Sequence, residues 1–252
     1  MALPFLISIP HGGTETPPEL AGRVRATAEE VFDDGDAFTR EIYDLQDRVA
    51  HLQAAQVARA FVDLNRAEDD RPPANSDGVW KTATCFDRPL YTAPLEDALV
   101  ETLLARYHRP YHEALAAAAR RPDVRLGLDC HSMAATPPPV APDREMPRPL
   151  FCLSNGRGAT CDDALLRAFA ARVADAFGIP RHEVALNRPF TGGYITRRHG
   201  SRPLPWIQVE MNRSLYLAEP WFDRRRLDLD GARIRDLRQR FAAALAALAP
   251  LL

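Results

Sequence analysis

Three apolar runs in this chain end in side chains that could bind a metal ion or move a proton. In chain order the runs are 5–9, 124–128 and 206–209, and the side chains that follow them are His11, His131 and Glu210. In open α/β sheets, ligands bind outside the carboxyl ends of the strands, so we expect these three side chains to lie together. Imidazole and carboxylate are zinc ligands, and catalytic zinc sites keep one position open for water. The pattern therefore predicts a catalytic metal site.

A catalytic zinc site usually has three protein ligands, so two imidazoles need a partner. The chain contains neither HxxE nor HExxH, which excludes the common zinc-peptidase signatures. The nearest acidic group is Asp33-Asp34-Gly35-Asp36, which the pattern places at the start of a helix. We predict that Asp36, in the first turn, is the third ligand and that Asp34 caps the helix. The reverse assignment remains open.

Glu210 ends the last apolar run, where an ionised carboxylate without a function would be costly to bury. We predict that it is the general base that takes a proton from water at the metal. The structural alternative is a salt bridge to Arg213.

Polar residues in two further segments could hold a substrate. Arg66 and Arg197 have planar guanidinium groups that suit a substrate carboxylate, and Asn65 and Thr196 could add hydrogen bonds. A structural ion pair is an equally good interpretation of either arginine.

The remaining histidines give weaker signals. His108 and His112 have the spacing of a ligand pair, but Pro110 lies between them, and we favour histidines on a helix surface. We expect His51, His182 and His199 to have no partners. A Ser–His–Asp triad at Ser132 is disfavoured, because no GxSxG elbow exists and neighbours on an extended chain point to opposite faces.

Composition narrows the class of protein. A formal net charge of -2 and a single lysine give no basic field, so we expect no nucleic-acid partner. No apolar run approaches the roughly 20 residues that span a bilayer, and no secretory leader is evident, so we expect a cytoplasmic protein without a membrane partner. The four cysteines form no CxxC pair and are expected to be free thiols. The oligomeric state stays open.

Alternating strands and helices predict an α/β fold of three layers, with a mostly parallel or mixed sheet flanked by helices in one domain spanning residues 1–252. The predicted strands are 4–9, 56–64, 124–130, 150–153 and 206–210, with short extended pieces at 183–186 and 194–196. The predicted helices are 36–49, 95–118, 162–177 and 222–248. Pro110 should kink or split its helix, and the long loop 135–149 is a candidate lid.

Taken together, the motifs resemble the N-formylglutamate amidohydrolase family. They run in family order from residue 8 to residue 216 and cover nearly the whole chain. The matching segments are SIPHGGT at 8–14, DGD at 34–36, VDLNR at 62–66, YHRPYH at 107–112, DCHSM at 129–133, GGYITR at 192–197 and QVE at 208–210.

The resemblance implies a phosphorylase/hydrolase-like fold related to zinc carboxypeptidases. It implies hydrolysis of an N-formyl or N-acyl amide with one Zn²⁺; the type reaction, in histidine degradation, yields formate and L-glutamate from N-formyl-L-glutamate. By motif, His11 and His131 look like metal ligands and Glu210 like the base. A hydrolase of another N-acyl amino acid or small peptide, a non-catalytic metal- or carboxylate-binding protein, and an iron dioxygenase remain alternatives.

Overall fold

A central mixed sheet of six strands organises the protein. The computed structural model describes residues 2–138, 141, 143 and 146–252. The strands of the sheet are β1 (Leu3–Ile9), β2 (Val49–Ala54), β3 (Leu126–Met133), β4 (Phe151–Ser154), β5 (Val184–Leu186) and β6 (Trp206–Asn212). Their order is β2-β1-β3-β6-β4-β5. Strands β2, β1, β3 and β6 are parallel to one another. Strand β4 runs antiparallel to β6, and β5 is parallel to β4.

Seven α-helices and a small hairpin are the other main elements of the described part of the chain. The helices are α1 (Ala28–Asp34), α2 (Thr39–Ile42), α3 (Asp97–Leu103), α4 (Arg109–Ala118), α5 (Asp163–Phe177), α6 (Tyr194–His199) and α7 (Gly231–Leu248). Strands β7 (Phe222–Asp223) and β8 (Asp228–Leu229) form the hairpin. No described helix has the length and apolar character required to cross a membrane.

The central strands are buried on both faces, as the period-2 direction of strand side chains requires. In β1, Ile7 belongs to an apolar cluster that includes Phe169 of α5 and Phe241 of α7. Its neighbour Leu6 belongs to a second cluster, formed with α3 and α4. The sheet therefore lies between two helical layers, and the predicted α/β class with a mixed sheet is confirmed. The four cysteines are free, as predicted.

The predicted helix 36–49 and strand 56–64 are wrong. Only Thr39–Ile42 is helical, since Phe38 before it adopts a left-handed conformation with φ 62°. Val49 already begins β2, where it pairs with Leu3 of β1. The apolar residues at 57–64 are buried in turns rather than in a strand. Local apolar periodicity could not distinguish these cases, because pairing with β1 decided which segment became the strand.

Pro110 does interrupt its helix, as predicted. A π-helical segment, Leu104–His108, separates α3 from α4 immediately before Pro110, whose nitrogen has no hydrogen to donate to the preceding turn. Helix α5 matches its prediction closely. It has Asp162 as N-cap and Gly178 at its end, in the left-handed conformation that glycine favours.

Three further expectations need correction or limitation. The closing helix begins at Gly231 rather than at 222, because the preceding residues form the β7–β8 hairpin. Residues 194–196 belong to helix α6 and are not extended. The predicted lid 135–149 lies partly outside the described residues, and it remains a prediction.

Candidate metal centre

Three buried side chains converge at the carboxyl edge of the parallel strands. His11 follows β1, His131 lies in β3, and Asp36 lies in the turn between α1 and α2. The His131 Nδ1 atom lies 3.1 Å from His11 Nδ1 and 3.1 Å from Asp36 Oδ2. The distance from His11 Nδ1 to Asp36 Oδ2 is 3.5 Å. Among the described residues, these three form the one group of histidine, cysteine and acidic ligands close enough to hold a metal ion.

The spacing of these three atoms fits a tetrahedral metal ion. Ligand distances of about 2.0–2.2 Å place tetrahedral ligand atoms about 3.3–3.6 Å apart. The observed separations of 3.1–3.5 Å lie close to that range. The three atoms therefore form one face of a tetrahedron, on which water or substrate would take the fourth position.

Each imidazole is held by a carboxylate on its other nitrogen. Asp63 Oδ1 lies 2.7 Å from His11 Nε2, and Asp129 Oδ1 lies 3.1 Å from His131 Nε2. Such partners fix the tautomer with the proton on Nε2, which leaves the Nδ1 lone pairs for a metal. Asp63 also accepts hydrogen bonds from Arg59 Nε and the backbone N–H of Asn65. This arrangement is typical of metal-binding histidines.

The charges of the centre compensate one another despite burial. Burial alone would lower the pKa of His131, but Asp129 and Asp36 outweigh it and hold that pKa well above its usual value. Burial would raise the pKa of Asp36, yet hydrogen bonds with His11 and His131 hold it well below its usual value. The centre therefore keeps its carboxylate ionised, and an ion bound at Nδ1 would displace the proton that the raised pKa places on His131, since metal ligands must be deprotonated.

The carboxylate of Asp36 is held in place by further contacts besides those with the two histidines. Arg213 Nη2 donates to Asp36 Oδ1 at 3.0 Å, and the backbone N–H of Ser132 donates to Oδ2 at 3.1 Å. The expectation that Asp36 lies in the first turn of a helix is wrong. Helix α1 begins after Thr27, which forms a capping box with Glu30, and it ends before Asp36.

Asp34 does not cap a helix. It is the last residue of α1, it is buried, and it accepts hydrogen bonds from Lys81 Nζ at 2.9 Å and from the backbone N–H of Cys85 at 2.7 Å. In the structure it shares the neutralisation of Lys81, the only lysine of the chain, with Asp77, whose Oδ1 lies 2.7 Å from Lys81 Nζ. The helix pattern alone could not reveal this pairing, because Lys81 lies 47 positions away.

Glu210 is opposite His131 in the register of the β3–β6 pair. Its Oε1 accepts a hydrogen bond from Gln208 Nε2 at 2.8 Å, and burial raises its pKa to about 7. Arg213 instead contacts Asp36 and Ser132, so the salt bridge considered for Glu210 is not formed. A carboxyl group with a pKa near neutrality suits proton transfer.

A cleft of ≈ 680 Å³ opens onto the centre, and its wall includes Glu210 and several arginines. Arg66 lines it but is paired with Asp77 at 2.7 Å. Arg197 also lines it, and its Nη2 donates to Thr191 Oγ1 at 3.0 Å. In the described part of the chain, Arg197 has no carboxylate partner, which makes it the better candidate for binding a substrate carboxylate.

Two predicted substrate contacts lie elsewhere or have another partner. Thr196 is fully buried and donates to Asp129 Oδ2 at 3.0 Å, so it supports the centre and does not face the cleft. Asn65 lines the cleft, but its Oδ1 accepts a hydrogen bond from the backbone N–H of Ile195 at 2.7 Å. Asn65 is therefore held by α6, with its Nδ2 at 3.2 Å from His131 Nε2.

Sequence reasoning missed the role of Asp63. For Asp63 the usable signal was a carboxylate directly after the apolar residues 60–62. Its contact with His11 crosses 52 positions, so no local pattern could have assigned it.

The prediction that His108 and His112 lie on a helix surface is wrong. His108 is buried, and its Nε2 donates to the carbonyl of Arg66 at 2.8 Å. His112 Nε2 donates to the carbonyl of Leu64 at 3.0 Å, and its Nδ1 lies 2.9 Å from His199 Nε2. His199 therefore has a partner, contrary to expectation.

The fold and the site define an α/β protein with a buried His–Asp–His centre at the carboxyl edge of its sheet. Residues 3–217 match the profile of the N-formylglutamate amidohydrolase family. The chain belongs to that family, which confirms the resemblance found in its motifs.

Named relatives agree with this assignment. The chain is 32% identical over 229 residues to an N-formylglutamate deformylase of Pseudomonas aeruginosa, covering 86% of this chain and 83% of that protein. It is 31% identical over 231 residues to a protein of the same name from Pseudomonas putida, with the same coverage of 86% and 83%.

Solved structures give the same result. The crystal structure of N-formylglutamate amidohydrolase from Ralstonia eutropha JMP134 superposes with a TM-score of 0.80 at 25% identity, covering 100% of this chain and 96% of that one. A gene product of Agrobacterium tumefaciens gives a TM-score of 0.70 at 14% identity, covering 99% and 91%, and supports the fold alone.

Proposed function

We propose that this protein is a metal-dependent amidohydrolase that converts N-formyl-L-glutamate, or a close N-acyl analogue, and water into a carboxylic acid and L-glutamate. The observation that carries the proposal is the convergence of His11, Asp36 and His131 beside Glu210, in a chain of this family. The names of the Pseudomonas relatives support the N-formylglutamate substrate. We further propose that residues 1–252 act as one domain.

We assign His11 Nδ1, Asp36 Oδ2 and His131 Nδ1 as the ligands of one divalent ion, with Zn²⁺ as the ion. The fit rests on their near-tetrahedral spacing and on the carboxylates that occupy both Nε2 atoms. An ion bound there would supply Lewis acidity, which polarises a carbonyl and lowers the pKa of water.

The residues of the chain would handle the proton and the substrate. Glu210 takes the proton from the attacking water and passes it to the leaving amine, and a pKa of about 7 suits both transfers. Gln208 orients the carboxylate of Glu210 through their hydrogen bond. Arg197, in the wall of the cleft, receives a carboxylate of the amino acid.

The test is formate release from N-formyl-L-glutamate by purified protein, before and after removal of metal with a chelator. We expect turnover that disappears with the metal and returns when Zn²⁺ is added. Elemental analysis of unsupplemented protein identifies the native ion, and iron with oxygen consumption would favour the dioxygenase alternative. Substrate binding without formate release would overturn the proposal in favour of a non-catalytic binding protein.

A further inference from the structure

The two oxygens of the Asp36 carboxylate have different neighbours. The contacts with His131 Nδ1 and His11 Nδ1 are made by Oδ2, at 3.1 Å and 3.5 Å. Oδ1 instead accepts a hydrogen bond from Arg213 Nη2 at 3.0 Å, and such a bond between two charged groups is roughly twice as strong as a neutral one. Oδ2 is therefore the oxygen beside the imidazoles, and Oδ1 is the oxygen held by the guanidinium.

The chain after β6 brings Arg213 to this point. Asn212 ends the strand, and its side chain accepts from the backbone N–H of Ser214 at 2.9 Å, which caps a short 3₁₀ turn that begins at Arg213. The guanidinium then reaches Ser132, whose Oγ accepts from Nε at 3.0 Å. Nε and Nη2 thus engage Ser132 and Asp36 together, as the rigid fork of an arginine allows and the ammonium of a lysine does not.

Arg213 lies in the wall of the large cleft, but its donors are committed to the protein. Its side chain is 14% exposed, and Nη1 lies 3.4 Å from the carbonyl oxygen of Asp33, in addition to the contacts of Nε and Nη2. Arg197 of the same wall is exposed and has no carboxylate partner in the part of the chain that the structure describes. Arg213 is therefore suited to positioning a neighbour and not to binding the carboxylate of a substrate.

We infer that Arg213 makes Asp36 bind the metal ion through Oδ2 alone and thereby keeps a coordination position open for water or substrate. The inference rests on the proposed function. A carboxylate binds metals through one oxygen or through both, and a catalytic zinc ion has three protein ligands and an open fourth position. If Oδ1 also bound the ion, four protein atoms would surround it, so a donor held on Oδ1 favours the open arrangement.

Crystal structures of the Zn²⁺-loaded wild-type and Arg213→Met proteins test the inference directly. In the wild type we expect Asp36 Oδ2 alone at a ligand distance of about 2.0–2.2 Å from the ion. In Arg213→Met, which removes the donors from an otherwise long side chain, both oxygens should approach the ion. A wild-type protein with both oxygens bound, or a variant with Oδ2 alone bound, would overturn the inference.

Azide binding to Co²⁺-loaded protein, followed by visible absorption, measures the open position in solution. Arg213→Met should raise the Kd of azide at least about tenfold and lower kcat about 10–100-fold, the range for partners of metal ligands. The Kd of the metal should not rise, since Asp36 gains a contact with the ion. A role that only holds Asp36 in place predicts weaker metal binding with unchanged azide affinity, and that result would contradict the inference.

Arg148→Met is the matched control. Arg148 lies in the wall of the same cleft, and its Nε and Nη2 donate to Asp143 at 2.7 Å and 2.9 Å. Because Asp143 is not a proposed ligand, the Kd of azide should stay unchanged, and a rise equal to that in Arg213→Met would contradict the inference. If Arg213→Met does not fold, Ser132→Ala removes only the acceptor of Arg213 Nε. It should raise the Kd of azide in the same direction, and an unchanged value contradicts the inference.

Metal coordination separates failure of the inference from failure of the proposed function. A wild-type protein that binds Zn²⁺ through Oδ2 alone but releases no formate would reject the proposed function and retain the role of Arg213. Turnover by a wild-type protein with both oxygens of Asp36 on the ion would reject the inference and retain the proposed function. A protein that binds neither Zn²⁺ nor Co²⁺ would reject both.

Discussion

This protein has two groups of histidines with different neighbours. The first group is His11 and His131, and the second group is His108, His112 and His199. His11 and His131 each have a carboxylate on Nε2 and share Asp36 at Nδ1. His112, in the second group, has the carbonyl of Leu64 on one nitrogen and His199 on the other. The closest carboxylate contact of that group is Glu68, 3.8 Å from His108 Nδ1.

The pKa values of His131 and of the second group are shifted in opposite directions. Carboxylates overcome the effect of burial at His131 and hold its pKa well above the usual value. In the second group burial dominates, and it lowers the pKa of His112 to about 3 and that of His199 to about 4. The proposed centre is therefore distinguished from the second group by its carboxylates, because in metal sites such partners orient each imidazole.

Loss of a proposed ligand should have the largest effect. Asp36→Ala removes one of three ligand atoms, and we expect metal affinity to fall by more than about a hundredfold, beyond the range for partners outside the ligand set. Elemental analysis after dialysis measures the retained metal. The matched control is Asp34→Asn, two residues earlier, which should keep the metal and lose stability because buried Lys81 loses one of its two charged partners, Asp34 and Asp77. Metal loss in Asp34→Asn together with metal retention in Asp36→Ala would reverse the assignment.

Removal of the proposed base should spare the metal. Glu210→Gln keeps the size of the side chain and cannot accept a proton, so we expect kcat to fall at least about a hundredfold. Formate release and metal content are measured on the same sample. Turnover close to that of the wild type would eliminate Glu210 as the base.

The carboxylates behind the histidines should have a smaller effect. Asp63→Asn and Asp129→Asn leave each imidazole without its charged partner, and we expect each to weaken metal binding about 10–100-fold. Competition with a chromophoric chelator measures the affinity. Thr196→Val, which removes only the hydroxyl donor to Asp129, serves as the mild control. Unchanged affinity in both aspartate variants would show that the ligands alone define the site.

The second histidine group should affect stability and not metal. His112→Phe removes the donor to the carbonyl of Leu64, and we expect a loss of about 1–3 kcal/mol in the free energy of unfolding. Urea unfolding measures that loss, and metal content should match the wild type. A substantial loss of metal would mean that the two histidine groups act as one site.

Acid should destabilise the protein gradually through the second group. Because the pKa values of His112 and His199 are lowered from 6.5 to about 3 and about 4, the unfolded chain binds protons that the folded protein excludes. Their contribution to stability is present above pH 6.5 and is lost as the pH falls towards those values. Thermal unfolding of metal-free protein between pH 7.5 and pH 5 tests this. His112→Phe should show a shallower decline, and an identical decline would remove these histidines as its cause.

Some features of the fold followed from local sequence. The apolar runs before His11, His131 and Glu210 became strands, because continuous apolar segments suit strands that are buried on both faces. Helix α5 was predictable because Asp162 and Gly178 mark its ends. The structures of segments 36–49 and 56–64 could not be predicted in this way, because their apolar residues are buried through pairing and packing with distant parts of the chain.

The apolar runs were enough to predict that two histidines and a glutamate lie at one edge of the sheet, since parallel strands deliver their carboxyl ends to the same side. The sequence also determined the family through the order of its motifs. The folded structure was needed to show that Asp36 lies beside the histidines while Asp34 pairs with Lys81, and that Asp63 contacts His11. These choices depend on contacts across tens of positions, and side chains of one type become different in function only when burial and neighbouring charge are fixed.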